Sequence, residues 1–467
     1  MKKLKDVRAL VVDNGLFCHF ALKLAEQCAH VDYWTPYVNA FPKSNSTLPG
    51  DGLDGIHRVL DFWSAKDKAD LIVFVDVMFA DMQVECERQG KLVYGARYGE
   101  TLELDRWGFK KLLTKLNMPV AESHLIQGMT NLRKFLQERS GKWWIKTSRF
   151  RGDFETFCSD NYDKVCPKLD EVEFNLGRRA LVYPFIVERD IPAILEVGYD
   201  GDFVGRFPTD SEACIFGIER KDLGFCGVAK PYGDTPAPLR WVNAKIAPVL
   251  REYKYAGLFS SEVRANYADE SNTDQPKPWN DSPMMFNVGE TVPGEREMYA
   301  WFTDPCCRAA SPPSELYIEW VGNWPEKIYH GAMGDFVPVE PLGKYGLEAM
   351  IHSSWADKNW QPVIFPEEIR KFVKLRNHCK IEGVDSAVPQ CYGLPEIGAV
   401  ISFDDDLPTA IKQLIERADQ VDGYYLECKT DAIPKTLKEI AEAQEKGLEF
   451  TDEPLPTPDE IDELVPA

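Results

Sequence analysis

A basic stretch over residues 142–156, KWWIKTSRFRGDFET, has the residue types of a polyphosphate-binding site. Its apolar start predicts a short strand that ends at Lys146, and the loop after it carries hydroxyl groups, Arg149, Arg151 and Gly152. Lysine and arginine neutralise phosphate oxygens, arginine in a bidentate manner, and glycine lets the backbone approach closely. A solvated β-hairpin with basic residues explains the same stretch, so the flanking elements must decide between the two.

Composition restricts the class of protein. A net charge of −21 over 467 residues argues against nucleic acid as a partner, because sequence-independent binding needs a basic surface. No run approaches the ~18 apolar residues of a membrane span, and the apolar run before Asp13 is shorter than a signal-peptide core. Twelve cysteines without a repeated CxxC pattern are typical of reduced thiols. These features predict a cytoplasmic protein that does not bind membranes.

The first 98 residues are predicted to form a small doubly wound α/β domain. Strands are expected over 7–12, 31–35 and 70–75, with helices over 19–28 and 56–65. Alternation of strands and helices indicates a parallel sheet. A nicotinamide-dependent oxidoreductase is an alternative for this domain, but the first turn holds a single glycine, Gly15, instead of the GxGxxG pattern.

The middle of the chain is predicted to be a mixed α/β core that places two lysines on separate elements. Lys110 falls on a helix over 102–116, and Lys146 ends the apolar strand described above. For Lys110, a solvated helix lysine is the alternative. Further elements are a strand over 179–187, a strand over 191–199, a tight turn over 200–202, an irregular segment over 210–232 and a helix over 239–253.

A metal site is predicted where two later strands meet. Residues 260–265 and 283–288 are expected to pair antiparallel, which would bring Glu262 near Asn287. A carboxylate and an amide oxygen suit a hard cation such as Mg²⁺. The alternative for Glu262 is a carboxylate on the surface of a strand.

The C-terminal part is predicted to be a further α+β domain over 331–430. Its expected elements are helices over 366–377 and 407–418 and strands over 399–403 and 424–427. Residues 431–467 are predicted to be a helix followed by an acidic tail, disordered from Thr451, because the tail has no basic residue and is rich in proline.

In this order the elements resemble the ATP-grasp superfamily and, within it, phosphoribosylamine–glycine ligases. The resemblance covers most of residues 7–430. It rests on GLFCHFALKLA with His19, LELDRWGFK with Lys110, WWIK with Lys146, VYPFIVERD, APVLREYKYAGLFSSEVRA and GAVISFDDDLPTAIKQLIERA.

The resemblance implies an ATP-grasp fold with a pre-ATP-grasp domain over 1–98, a nucleotide-binding core over 99–330 and a C-terminal α+β domain over 331–430. The core would have two lobes, over about 99–180 and 181–330. The implied function is that of an ATP-dependent ligase that joins a carboxylate to an amine through an acyl phosphate. ATP and Mg²⁺ would be the cofactors, and the partners would be small-molecule substrates.

The site residues follow from the same resemblance. Phosphate contacts are implied for Lys110, Lys146, Ser148 and Gly152, adenine contacts for the backbone at Phe185 and Ile186, and ribose contacts for Glu188 or Asp190. Metal ligation is implied for Glu262 and Asn287. Arg264, together with Arg149 and Arg151, is expected near the transferring phosphate.

Three departures from the family pattern support a second hypothesis. The phosphate loop has one glycine and two arginines, Tyr183-Pro184 stands where a pair of glutamates is usual, and the metal motif reads Asn287-Val288-Gly289 without its carboxylate. A catalytically degenerate relative that binds nucleotide or a protein partner is therefore the alternative. The identities of the carboxylate and the amine are left open.

Overall fold

The computed structural model describes residues 2–36, 48–147, 156–220, 224–271, 273–389, 396–447, 449–457 and 460. The α-helices are α1 (Cys18–Ala25), α2 (Phe62–Lys68), α3 (Ala80–Arg88), α4 (Thr101–Leu104), α5 (Arg106–Lys115), α6 (Met129–Glu138), α7 (Tyr162–Leu176), α8 (Ala237–Glu252), α9 (Ser314–Trp320), α10 (Trp324–Ala332), α11 (Leu407–Ala418) and α12 (Ala432–Glu445). Among the described residues, no helix combines the length and apolar character that crossing a membrane requires.

The strands of the first half are β1 (Arg8–Val12), β2 (His30–Trp34), β3 (His57–Arg58), β4 (Leu71–Phe74), β5 (Leu92–Tyr94), β6 (Val120–Gln127), β7 (Trp143–Lys146), β8 (Thr156–Ser159), β9 (Pro184–Arg189), β10 (Leu195–Val204), β11 (Ala213–Arg220) and β12 (Gly224–Pro231). Those of the second half are β13 (Ala256–Tyr267), β14 (Met284–Asn287), β15 (Met298–Cys306), β16 (Tyr345–Ser353), β17 (Gln361–Ile364), β18 (Val373–Leu375), β19 (His378–Ile381), β20 (Val384–Ala387), β21 (Glu396–Asp404), β22 (Asp422–Gly423) and β23 (Leu426–Cys428).

Contacts divide the chain into two compact units. Unit 1 comprises Met1–Glu100, Val197–Ser261 and Cys306–Ala467, and unit 2 comprises Thr101–Glu196 and Glu262–Pro305. The domains predicted from the sequence are consecutive segments, whereas each of these units combines separate segments of the chain. The predicted domain boundaries stay a prediction.

Unit 1 opens with a parallel sheet of the order β3-β2-β1-β4-β5. All four neighbouring pairs are parallel, and helices α1, α2 and α3 make the crossovers from β1 to β2, from β3 to β4 and from β4 to β5. β1 is an apolar run that is almost fully buried, as expected of a strand with helices on both faces of its sheet. The predicted mixed fold class with a doubly wound N-terminal domain is confirmed.

One predicted helix of this region is wrong in its bounds. Residues 56–65 were expected to be helical, but α2 begins only at Phe62, after β3. The carboxylate of Asp61 accepts a hydrogen bond from the backbone N–H of Trp63 and so fixes the start of the helix.

An antiparallel sheet forms the second layer of unit 1. Its strands follow the order β10-β11-β12-β16-β21-β18, with β23 beside β16. The predicted tight turn over 200–202 is wrong because β10 runs through it, and the predicted irregular segment over 210–232 contains β11 and β12. Glycine explains the second error: a Cβ on Gly224 would lie 2.4 Å from the carbonyl oxygen of Glu348 on the neighbouring strand, so glycine here permits strand pairing and does not mark a loop.

The C-terminal part of unit 1 differs from its prediction in one place. The expected helix over 366–377 is a 3₁₀ helix, Glu367–Phe372, followed by β18, which pairs with β21. The expected disorder from Thr451 stays a prediction, and the described residues up to 457 include two that make contacts with the rest of unit 1. Thr451 is buried, and the hydroxyl of Tyr345 donates to the carboxylate of Glu453 at 2.8 Å. Residues 458–459 and 461–467 lie outside the described residues.

Unit 2 is built on an antiparallel sheet of the order β14-β6-β9-β7-β8. Helices α6 and α7 cover one face of this sheet. Their apolar side chains, including Phe135 of α6, pack with Trp143 and Ile145 of β7 in one core. The predicted pairing of 260–265 with 283–288 is wrong. β14 pairs with β6, and the strands beside β13 are β10 and β15.

Candidate functional site

Unit 2 gathers three cations and two carboxylates into one group, which we call the basic cluster: Arg106, Lys110, Lys146, Glu188 and Asp304. Helix α5 begins after Asp105, whose side chain accepts from the backbone N–H of Gly108 at 2.9 Å. Positions 106 and 110 are four residues apart, so one face of the helix carries both basic side chains.

Strands supply the other members of the basic cluster. Lys146 is the last residue of β7, Glu188 lies on the neighbouring strand β9, and Asp304 lies on β15. Both lysines and Glu188 are buried, whereas the Asp304 side chain keeps 32% of its surface exposed. The cluster therefore reaches solvent on the side of Asp304.

The contacts place the two carboxylates between the cations. Lys110 Nζ lies 3.1 Å from Glu188 Oε1, and Lys146 Nζ lies 3.5 Å from Glu188 Oε2. Lys146 Nζ also donates to Asp304 Oδ2 at 2.7 Å, and Arg106 Nη1 contacts the other oxygen of Asp304. With three positive charges against two negative ones, the cluster retains an excess positive charge that suits an anionic ligand.

Neighbouring opposite charges outweigh burial in setting the pKa of Glu188, Lys146 and Asp304, but not that of Lys110. Burial alone would raise the pKa of Glu188, but Lys110 and Lys146 lower it below its ordinary value. Burial lowers the pKa of Lys110 more strongly than Glu188 raises it. For Lys146, burial is outweighed by Asp304 and Glu188, which together raise the pKa. Arg106 and Lys146 likewise hold the pKa of Asp304 well below its usual range, against the effect of burial.

A second group in unit 2 surrounds Arg264. Its guanidinium donates to Glu196 Oε2 at 2.6 Å, lies 3.4 Å from Asp190 Oδ1, and stacks over the Trp144 ring with 5.7 Å to the ring centroid. The indole N–H of Trp144 donates to the same Asp190 oxygen at 2.6 Å. This stacking and hydrogen bonding fix the guanidinium in place.

Two carboxyl groups of unit 2 face each other beside Arg264. Glu196 and Glu262 are in hydrogen-bond contact, and Lys146 lowers the pKa of Glu196 through its charge. Burial would raise this pKa, but Glu262 and Arg264 outweigh it. Two carboxyl groups in such contact repel each other when both are ionised, and Arg264 beside Glu196 relieves part of this repulsion. The pair is thus chemically suited to hold a divalent cation with oxygen ligands.

The predicted metal ligand Asn287 is placed differently from Glu262. It lies on β14, in the sheet with β6, and its side-chain amide donates to the carbonyl oxygen of Met118 at 2.8 Å. The strand pairing that would have brought it to Glu262 is not formed. Ser148, Arg149, Arg151 and Gly152 lie outside the described residues.

The predicted adenine-binding segment lies on β9. Ile186 is opposite Leu125 on one neighbouring strand and Lys146 on the other, while Phe185 is opposite Ile126. This places the backbone of Phe185 and Ile186 next to the basic cluster, and their contact with adenine stays a prediction. Ribose contacts from Glu188 or Asp190 also stay a prediction, and both carboxylates are already engaged by cations.

Sequence reasoning missed Arg106 and Asp304 as site residues. The clearest available signal for Asp304 is the apolar run of residues 298–302 before it, which is longer than the run at 284–286 within the segment predicted to pair with residues 260–265. For Arg106, the signal was its spacing of four residues from Lys110 on a predicted helix.

Comparisons with known proteins agree on the fold. No family model and no curated protein sequence matches the chain. Among solved structures, phosphoribosylamine–glycine ligase from Thermotoga maritima superposes with a TM-score of 0.63 at 15% identity, over 91% of this chain and 100% of the other. This chain has the ATP-grasp fold.

Two further structures show the same similarity. N5-carboxyaminoimidazole ribonucleotide synthetase from Thermotoga maritima gives a TM-score of 0.54 at 13% identity, with 90% of this chain and 99% of the other covered. The biotin carboxylase domain of 2-oxoglutarate carboxylase from Hydrogenobacter thermophilus, a complex with MgADP and bicarbonate, gives 0.58 at 12% identity, with 95% and 96% covered. Identities this low show the fold alone, and the chemistry must be argued from the side chains.

Proposed function

We propose that the protein is an ATP-dependent ligase that joins a carboxylate to an amine through an acyl phosphate. The observation that carries this proposal is the basic cluster, in which Arg106, Lys110 and Lys146 exceed their two carboxylate partners within a chain of ATP-grasp fold. A triphosphate entering on the exposed side of Asp304 would supply the negative charge that the cluster lacks.

The proposed reaction has two steps, phosphorylation of the carboxylate and attack by the amine. A substrate carboxylate oxygen attacks the γ-phosphorus of ATP, the bond from that phosphorus to the bridging oxygen breaks, and ADP leaves. The amine nitrogen then attacks the acyl carbon, a C–N bond forms, inorganic phosphate leaves, and the nitrogen loses a proton. Both steps depend mainly on positioning and on neutralising phosphate charge, which the lysines of the basic cluster would do.

Within this proposal, Lys110 and Lys146 bind phosphate oxygens while Glu188 stays between them as their shared counter-ion. Arg264, fixed by Trp144 and Asp190, stands near the transferring phosphate or the acyl group. In the loop, Ser148, Arg149 and Arg151 are proposed to hold phosphates by their side chains, because arginines stand where backbone donors are usual, while Gly152 lets the backbone approach the phosphates closely. Simultaneous Arg149→Ala and Arg151→Ala substitution is then expected to weaken ATP binding sharply in a titration.

Mg²⁺ is the proposed metal, and Glu262 with Glu196 is its proposed binding pair. The two adjacent carboxyl groups offer oxygen ligands, which fit a hard cation. Bound there, Mg²⁺ would screen phosphate charge. Asp304, on the strand next to β13, is a further carboxylate within the same unit.

The proposal is tested by following ADP release with ATP, Mg²⁺ and fractions of a metabolite pool. Wild-type protein is expected to release ADP only with fractions that contain its substrates, and Glu262→Ala is expected to abolish this release. Glu171→Ala, an exposed carboxylate on α7, is the matched control and should retain the activity. Substrate-dependent ADP that is the same in wild type and Glu262→Ala, or none from any fraction, would overturn the proposal.

A catalytically degenerate nucleotide-binding protein is the second candidate. It is favoured by the 2.7 Å contact of Lys146 with Asp304, because a phosphate must first displace that carboxylate. This candidate predicts stabilisation by MgATP without product, and a ligand at 100 times its Kd adds about 2.7 kcal/mol to the free energy of unfolding. Detection of a ligated product would exclude it.

A further inference from the structure

Three metal-ligating side chains meet on the parallel sheet of unit 1, away in sequence from every residue of the basic cluster. His30 and Asp32 are two residues apart on β2, so their side chains point to the same face of the sheet. Strand β3 lies at the edge of that sheet, and its register places His57 directly beside Asp32. The topology thus brings two imidazoles and one carboxylate together.

The distances between these side chains are short. His30 Nε2 lies 2.7 Å and His57 Nδ1 lies 3.2 Å from Asp32 Oδ1, and one ligand atom from each residue lies within 4.8 Å of the others. Ligands at ~2.1 Å around a tetrahedral ion are separated by about 3.4 Å. Small side-chain rotations would therefore convert the hydrogen-bonded group into a coordination group.

We propose that His30, Asp32 and His57 form a binding site for a divalent transition-metal ion, with Zn²⁺ as the representative. Two imidazole nitrogens select metals such as Zn²⁺ over Mg²⁺ and Ca²⁺, which prefer oxygen ligands. Three protein ligands leave the fourth tetrahedral position for water or a small ligand.

The surroundings favour this site in two ways and oppose it in one. Asp32 is buried, which fixes the central ligand, while His57 is exposed and free to rotate toward the ion. The Arg8 guanidinium opposes it, since Arg8 Nη2 lies 3.7 Å from the second oxygen of Asp32. Replacement of this cation is expected to strengthen metal binding, because it removes a competing positive charge.

The test is calorimetric titration of the full chain with Zn²⁺ at pH 7.5. Wild type is expected to show a site whose affinity falls at least about tenfold in His57→Ala, because one of three ligands is lost. His330→Ala, a histidine on α10 outside the group, is the control and should leave the affinity unchanged. Arg8→Gln should raise it. Since His57 is exposed, its replacement leaves the fold intact, and the thermal unfolding temperature without metal checks this.

Cysteines are the competing ligands, because the eleven in the described residues are free thiols. Titration with Co²⁺ separates the two cases: imidazole and carboxylate ligands give d–d bands without thiolate-to-cobalt charge transfer. Absence of saturable Zn²⁺ binding, an affinity that is the same in His57→Ala and wild type, or a thiolate charge-transfer band that His57→Ala leaves unchanged would each overturn the proposal.

Discussion

Two networks of basic side chains and carboxylates differ in how completely they are buried from solvent. In unit 1, Arg376 donates to Glu315 at 2.8 Å and to Glu396 at 2.6 Å, and all three side chains are at most 8% exposed. In unit 2, the basic cluster has an excess of cations and an exposed side at Asp304. Similar residue types thus form a closed structural network in one unit and a group open to an anion in the other.

The Arg376 network also contains a carboxyl group whose pKa is shifted upward. Burial and the neighbouring Glu315 raise the pKa of Glu348 well above its ordinary value, and its Oε2 accepts from the backbone N–H of Leu316 at 3.0 Å. No carboxyl group of the basic cluster has its pKa raised in this way. The Arg376 network thus contains a carboxyl group with a raised pKa, whereas in the basic cluster the cations lower the pKa of both carboxyl groups.

The largest expected effect separates the networks by stability. Arg376→Met should lower the free energy of unfolding by about 3–5 kcal/mol, because it leaves Glu315 and Glu396 buried without their cation. Arg106→Met should cost only about 1–2 kcal/mol, because Asp304 keeps Lys146 and contact with water. Urea unfolding followed by circular dichroism measures both, and equal losses would remove the distinction.

A smaller effect is expected when the partly exposed carboxylate of Asp304 is neutralised. Asp304→Asn should strengthen binding of Mg²⁺-free ATP about tenfold, or about 1.4 kcal/mol, because it releases Lys146 for phosphate. Asp163→Asn on the exposed start of α7 is the control and should change nothing. Fluorescence titration measures the affinities. Unchanged or weaker binding by Asp304→Asn would show that the open side of the cluster does not receive phosphate.

The smallest expected effect is the pH dependence of the closed network. Burial would raise the pKa of Glu315, but Arg376 and His19 lower it to about 2, below its ordinary value of 4.5. The stabilisation that ionised Glu315 contributes is therefore complete above about pH 4.5 and is lost as the pH falls toward 2. The difference in unfolding free energy between wild type and Glu315→Gln should narrow by about 0.7 kcal/mol from pH 5 to pH 4. A difference that is constant or widens over this range would contradict the assignment.

The sequence revealed the two lysines of the basic cluster because each lies on an element with a clear local pattern. Lys110 follows a helical spacing, and Lys146 ends an apolar strand. Asp304 could not be predicted in the same way. Its place in the cluster requires that β15 lies beside β13, whereas the sequence predicted β14 at that position. That choice between two apolar strands is made by long-range packing, which a local pattern does not contain.

The predicted elements failed where local signals have more than one meaning. Gly224 and its neighbours in β11 and β12 indicated a loop, yet they allow close strand pairing. For the acidic segment from Thr451 disorder stays a prediction, although Thr451 is buried and the nearby Lys344 binds Glu453 at 2.6 Å. At Gly224 a tertiary contact overrides the preference of the isolated segment.

The central claim is that the basic cluster binds the phosphates of a nucleotide, and its most direct test is calorimetric titration of wild type and Lys146→Met with AMP, ADP and ATP in Mg²⁺. Wild type should bind more tightly with each added phosphate. Lys146→Met should lose about 1.5–3 kcal/mol of the gain from AMP to ATP, the usual range for hydrogen bonds to charged groups. Equal affinity of wild type for AMP and ATP, or the same gain in Lys146→Met, would contradict the claim.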